Sequence, residues 1–355
     1  MKRTGFLLIN LGTPDSTAVG DVRRYLREFL SDPRVLDLPA AGRWMLLNLI
    51  ILPFRPKKSA EAYEQIWTER GSPLLFHGLD LLEGVRPLLA DIGPVEFAMR
   101  YQNPSLTVSM QKLIDAGCTH IVALPLFPHY SSAAWGSAAE KLMAEASKGW
   151  NVPSLSFVPP FFAEPGYKQA LETICSETLG EDDGAFHLFS FHGLPVRHCT
   201  KSDPTGAHCH VKPNCCDELV HANAYCYRAQ CFETAHGLAK SLGLPADRYD
   251  ITFQSRLGRA EWIKPYTDVR VVELAKQGVE HLVVHCPSFV SDCLETSEEI
   301  GIRAKEDFIE AGGKTLRLVP AINSHPAWVK ACADILRKAA YAEQTPALSP
   351  TATGA

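Results

Sequence analysis

Eight short apolar runs punctuate the chain, at residues 5–11, 95–99, 120–126, 154–158, 185–191, 250–254, 281–286 and 315–319. Each has the length of one strand. Near-continuous apolarity is what a strand covered on both faces requires. Amphipathic stretches separate them, among them 105–116, 164–178, 229–242, 269–277 and 297–311. Strands alternating with helices predict parallel βαβ units, and therefore an α/β fold. The layout also repeats. LIDAGCTHIVALPLFPHYSS, ending at Ser132, is answered by LAKQGVEHLVVHCPSFVSDC, ending at Cys293. Each reads as a helix closed by Gly, a His-bearing strand, a Pro and a loop with an aromatic. Two similar halves with a cleft between them follow, at residues 1–160 and 161–340. The tail 341–355 is rich in Pro, Thr and Ala without periodicity, and disorder is expected there.

Composition narrows the class. The chain has 355 residues, 46% hydrophobic and 21% charged, with a formal net charge of −5. That is a globular composition with no electrostatic case for nucleic acid. The first apolar run is too short for a signal sequence and lacks a cleavage site, so a cytoplasmic location is expected. The longest apolar stretch, WMLLNLIILPF at 44–54, is about half of what a bilayer crossing needs. It reads either as a buried helix or as a helix resting on a membrane surface, with Arg43, Arg55, Lys57 and Lys58 at the headgroups.

Ligands of open parallel sheets bind at the carboxyl ends of strands. Four reactive-looking places lie there: Asn10, Tyr130, His192 and the segment 291–299. His192 ends a buried run in Ser190-Phe191-His192-Gly193-Leu194-Pro195, where Gly and Pro make a stiff turn. A satisfied structural histidine would look the same. Asp292, Glu295 and Glu299 fall at helical spacing, on one face. Such a row suits a helix N-terminus electrostatically. It also suits a path for a hard cation or for protons.

Eleven cysteines are many for a cytosolic chain, where disulfides are disfavoured. Six of them, Cys199, Cys209, Cys215, Cys216, Cys226 and Cys231, crowd into 199–231 together with His198, His208, His210 and His221. That density points to metal. Zinc is one candidate, although the paired C-x₂-C spacing of zinc ribbons is absent.

Taken in order, the motifs resemble the ferrochelatase family from Gly5 to about Arg337. They are Leu8–Pro14 (LINLGTP), Gly71-Ser72-Pro73-Leu74, Met99-Arg100-Tyr101, Phe127–Ser131 (FPHYS), Ser190–Pro195 (SFHGLP), Thr252–Arg256 (TFQSR), Trp262 with Pro265–Asp268 (PYTD), and Ser291–Thr296 (SDCLET). The resemblance implies two Rossmann-like halves, each a parallel sheet flanked by helices, clamping a porphyrin into which Fe²⁺ is inserted. Protoporphyrin IX is the expected substrate. Coproporphyrin III, or another divalent metal in a related tetrapyrrole, is the alternative. His192 and Glu295 match the family's essential histidine and acid, which handle iron and protons between them, and Glu299 continues the acidic path. Leu11, Tyr130, Trp262 and Phe289 fall at family wall positions. Arg55, Arg100 and Tyr101 fall at positions lining the pocket. The 44–54 stretch corresponds to the pocket lip, which favours peripheral contact with the inner face of the cell membrane. Most of 199–231 is an insertion relative to the plain family pattern. Some bacterial members carry an internal [2Fe–2S] cluster, so a cluster is expected on Cys209, Cys215, Cys216 and Cys226, with Cys199 and Cys231 as alternatives and zinc as the rival metal.

Overall fold

A computed structural model describes residues 3–179, 184–258 and 260–342. The expected disorder of the tail falls, from residue 343 on, outside the described residues.

The apolar runs form eight strands: β1 (Thr4–Gly12), β2 (Val95–Tyr101), β3 (His120–Pro125), β4 (Ser154–Phe157), β5 (Phe186–His192), β6 (Tyr249–Gln254), β7 (His281–His285) and β8 (Thr315–Leu318). They make two four-stranded parallel sheets, ordered β2-β1-β3-β4 and β6-β5-β7-β8. The expected pair of α/β halves is therefore present, and the second repeats the first strand for strand. The repeat extends to detail. Beyond β2 the chain bends so that Pro104 O accepts from Met99 N at 2.7 Å. Beyond β6, Pro265 O accepts from Phe253 N at 2.8 Å. Met99 pairs with Asn10, and Phe253 pairs with Phe191. One residue further along, Leu11 of the first half stands where His192 stands in the second.

The helices in chain order are α1 (Val19–Ser31), α2 (Ala40–Met45), α3 (Leu52–Ile66), α4 (Pro73–Leu89), α5 (Leu106–Asp115), α6 (Ser137–Ala146), α7 (Pro165–Leu179), α8 (Val196–Lys201), α9 (Tyr227–Ser241), α10 (Thr267–Lys276), α11 (Leu294–Ser297), α12 (Lys305–Glu310) and α13 (Pro326–Ala342). One apolar core runs through both halves, from Phe6 and Leu8 to Phe189 and Phe253. Helix α13 closes it. Trp328 of α13 is fully buried, stacked on Phe161 at 5.4 Å and edge-on to Tyr167 at 6.0 Å. α13 also lies on α4 of the first half. Gly84 makes room there, since a Cβ at that position would come within 2.9 Å of Val329. Arg337 ties the same helix to Asp91 through two hydrogen bonds of 2.6 and 2.9 Å.

The 44–54 stretch is neither wholly buried nor wholly surface. It leaves α2, passes through a π-helical turn at Leu46–Ile51 and enters α3. Leu47 and Leu52 point inward onto Leu30. Trp44, Met45, Leu49, Ile50 and Phe54 stand out into solvent. Among the described residues no helix is long and apolar enough to cross a membrane.

Candidate active site

His192 is the last residue of β5. Its backbone N–H reaches Ser288 Oγ at 3.2 Å. The turn that follows is held closely, because Gly193 N donates to Gln254 O at 2.8 Å. A Cβ on Gly193 would meet that same carbonyl at 2.7 Å and the Trp262 ring at 3.2 Å. Glycine is therefore required here by crowding. His192 Nδ1 lies 2.6 Å from Gly193 O. A carbonyl can only accept, so Nδ1 donates this bond and Nε2 is the ring nitrogen left for other partners. The ring of Phe289 lies beside the imidazole, centroids 6.3 Å apart.

The acidic row divides into two roles. Asp292 is tied down by Asn323 Nδ2 at 2.8 Å, Thr296 Oγ1 at 3.0 Å and Ala321 N at 3.3 Å, so its carboxylate fixes the loop. Glu298 is buried and held by both arms of Arg303. Glu295 and Glu299 remain partly exposed. Glu299 opens a π-helical turn, Glu299–Ala304. Its oxygens accept from Ser255 N at 2.8 Å and from Ser255 Oγ. Glu295 faces the first half across the cleft: burial first, and then its charge, push the Tyr63 phenol of α3 above the usual tyrosine range. Leu294 packs into the Val22, Tyr63 and Ile66 cluster of α1 and α3. The acid-bearing helix thus rests on the helices of the lip.

Other residues named from the sequence lie in different surroundings. Leu11 is half-buried at the end of β1, its N–H on Asn10 Oδ1 at 2.8 Å. Trp262 is half-buried over Gly193. Tyr101 is fully buried, its hydroxyl donating to Asp32 Oδ2 at 2.9 Å, and Arg100 completes the group with a 2.7 Å ion pair to the same oxygen. Arg100 and Tyr101 are thereby both tied to Asp32, at the end of α1. Arg55 is exposed on α3 beside Phe54. Tyr130 leans on Tyr225 of the insert, ring centroids 5.0 Å apart. A cavity of about 470 Å³ opens here, lined by Pro33, Arg34, Asp37, Tyr130, His198, Lys201 and Tyr225 among others. Asp37 bridges the two halves across its mouth, to Lys201 at 2.6 Å and Arg197 at 3.2 Å. A cavity of about 410 Å³ on the far side of α4 contains none of these groups. Sequence reasoning missed Gln254, Ser255, Asp32 and Asp37. The first two lay inside a quoted motif, but neutral side chains carry no chemical signal of their own.

All six thiols of the insert are buried and free. Cys226 is their hub: its side chain interacts with Cys199, with Cys209 and with Cys216. Cys215 touches the group through Cys216, sulfur to sulfur at 3.8 Å. Its contact with Cys199, and then burial, raise the Cys226 thiol to about 11. Burial raises Cys209 further. A cation attends them, Arg228 Nη1 at 3.0 Å from Cys216 Sγ. Asp203 shapes the loop by accepting N–H bonds from Thr205, His208 and Cys209. The contacts are pairwise. Among the described residues no group of three or more His, Cys, Asp or Glu side chains is arranged around a common point as metal ligands. The donor chemistry fits a thiophilic metal nonetheless, because crowded buried thiols are relieved when a cation replaces their protons.

The fold is that of the chelatases. SirB from Bacillus subtilis, a structure solved with Fe³⁺, superposes with a TM-score of 0.53 at 15% identity, covering 97% of this chain and 98% of that one. A multi-domain Deinococcus radiodurans protein described as structurally similar to chelatases gives a TM-score of 0.51 at 12% identity, over 95% of this chain and 55% of that one. Sequence is more specific. Residues 3–340 match the ferrochelatase family, and the chain belongs to it. Ferrochelatase of Coxiella burnetii (strain Dugway 5J108-111) is 48% identical over 337 residues, 95% of this chain and 94% of that protein. Ferrochelatase of Legionella pneumophila (strain Lens) is 47% identical over 337 residues, 95% of this chain and 99% of that protein.

Proposed function

We propose that the protein inserts Fe²⁺ into protoporphyrin IX, with loss of two pyrrole protons, as the metallation step of haem synthesis. The observation that carries this reading is the state of His192. Its Nδ1–H is committed to Gly193 O, which leaves Nε2 as the ring nitrogen that meets a pyrrole proton or iron. Leu11 and Phe289 supply apolar surface for a flat macrocycle. Glu295 and Glu299 supply the anionic route by which a cation arrives or protons leave. Remote contacts with the macrocycle offset the strain of bending it toward the metal. The test is an anaerobic assay of the purified protein with Fe²⁺ and protoporphyrin IX, run beside coproporphyrin III and beside Co²⁺. Faster metallation of coproporphyrin III would transfer the substrate assignment, and inertness toward every porphyrin would reject the activity.

Two finer assignments accompany this. The insert is read as the seat of a [2Fe–2S] cluster, with zinc the alternative. The contacts of Cys226 favour Cys199, Cys209, Cys216 and Cys226 as its ligands over a set that includes Cys215. When bound, such a cluster supplies cross-links and a redox-sensitive centre, and metallation itself transfers no electrons. The protruding side chains of α2 and of the π-helical turn, flanked by Arg43, Arg55, Lys57 and Lys58, support peripheral docking on an anionic membrane face.

A further inference from the structure

Three side chains of the quoted motifs have no part in the chemistry described above: the Ser190 hydroxyl, the Gln254 amide and the Thr267 hydroxyl. They meet in one buried chain. Thr267 Oγ1 lies 2.9 Å from Thr252 Oγ1 and 2.9 Å from Ser190 Oγ. Ser190 Oγ donates to Gln254 Oε1 at 2.7 Å. Gln254 Nε2 then donates to Glu295 O at 2.7 Å and lies 3.4 Å from Glu299 Oε2. Gln254 is 3% exposed, and Ser190, Thr252 and Thr267 are 0–1% exposed. A buried primary amide must spend both donors and its acceptor on fixed partners, or its burial is costly. Here the acceptor is taken by the strand that ends at His192, and the donors by the segment that bears the two acids. The backbone of the same residue holds the His192 turn through Gly193 N.

We infer that Gln254 is a positioning residue: its amide locks the Glu295–Glu299 segment to the end of β5, and so sets the spacing between the acids and the His192 imidazole. This rests on the metallation reading. Ser190 orients the amide, because its hydroxyl donates to Oε1 and leaves Nε2 turned toward the acids. Gln254 makes no part of the cleft surface, so it acts on turnover without contributing to porphyrin affinity.

The experiment measures kcat and the porphyrin KM of wild type, Gln254→Leu, Glu299→Gln and the double variant under anaerobic conditions. Gln254→Leu is expected to lower kcat about 10-fold or more while KM stays within about twofold, since small displacements of catalytic groups have effects of this order. In the Glu299→Gln background the same substitution is expected to cost less, because part of the amide's hold on the segment runs through its 3.4 Å approach to Glu299, while the bond to Glu295 O remains. Unchanged kcat in Gln254→Leu, a KM that rises in proportion, or effects that simply multiply in the double variant would each overturn the assignment. If Gln254→Leu does not fold, Gln254→Asn takes its place in the same scheme: it keeps the amide but is one methylene too short to span Ser190 and Glu295. A wild type inert toward every porphyrin would instead reject the metallation reading, which separates the two failures.

Discussion

Replacing Trp44, Leu49, Ile50 and Phe54 together with serine tests the lip without touching the core. These side chains are 60%, 59%, 58% and 77% exposed. Full burial of a large apolar side chain is worth about 2 kcal/mol, so the exposed fractions of the four carry about 5 kcal/mol of unrealised transfer free energy. If a membrane surface buries half of that, the quadruple variant loses about 2.5 kcal/mol, or roughly a 70-fold drop in partition coefficient. Co-sedimentation with liposomes containing anionic lipid measures the partition, and a thermal melt run in parallel measures the fold. The melt should be unmoved, because none of the four side chains is packed in the core. Leu47→Ser is the contrasting control. It lies in the same stretch but is 3% exposed, and its loss should cost about 2–4 kcal/mol of stability. Equal liposome binding by wild type and the quadruple variant would refute the docking argument. A large fall in melting temperature for the quadruple variant would show that its side chains are core.

His192→Ala should abolish metallation while porphyrin binding, followed by absorbance, persists; turnover above about 1% of wild type would take Nε2 out of the mechanism. Protein purified without oxygen should be reddish, with close to two irons and two sulfides per chain. Cys226→Ser should bleach the colour and Cys118→Ser should leave it; a colourless protein with one zinc per chain decides for zinc. The fold should weaken in mild acid. His129 and His285 are both lowered to about 3, by burial first and for His285 also by His187. Each imidazole stays neutral when folded but takes a proton near pH 6.5 when unfolded. The unfolded state therefore binds more protons, and stability drops as pH falls below 6.5. Together the two should remove about 2 kcal/mol between pH 6 and pH 5. Denaturant titrations that coincide at those two pH values would contradict the assigned burial.

The strands were legible because a strand covered on both faces leaves an unbroken apolar run, and all eight runs became strands. The repeat was legible because its turn signals, Gly117 and Gly278, sit at the same offset from a His-bearing strand. Roles that depend on distant partners were not. Arg100 is visible as a cation, but not its partner Asp32, 68 residues away. Asp292 looks like a third member of an acidic row, and only the position of Asn323 shows that it holds a loop. Helical spacing put Asp292, Glu295 and Glu299 on one face. The short α11 and the π-helical turn after it break the regular period. Which thiols meet was equally hidden. Cys199 and Cys226 are far apart in sequence and touch, while the neighbours Cys215 and Cys216 make one contact at the edge of the group.

The closure of the first half by α13 bears on how the chain is made. The surface of α4 that accepts Val329, and the Phe161 ring that accepts Trp328, wait for residues 326–342. Ribosomes add about 5–20 residues per second, so about 10–40 s pass between the synthesis of β4 and that of α13. Through that interval the nascent first half shows an apolar face that only the far end of its own chain can cover. A message truncated between Leu318 and Pro326 would yield two sheets and no lid, a product for proteases and chaperones to clear. Stalled synthesis of this protein is therefore a hazard of stickiness as well as a loss of product.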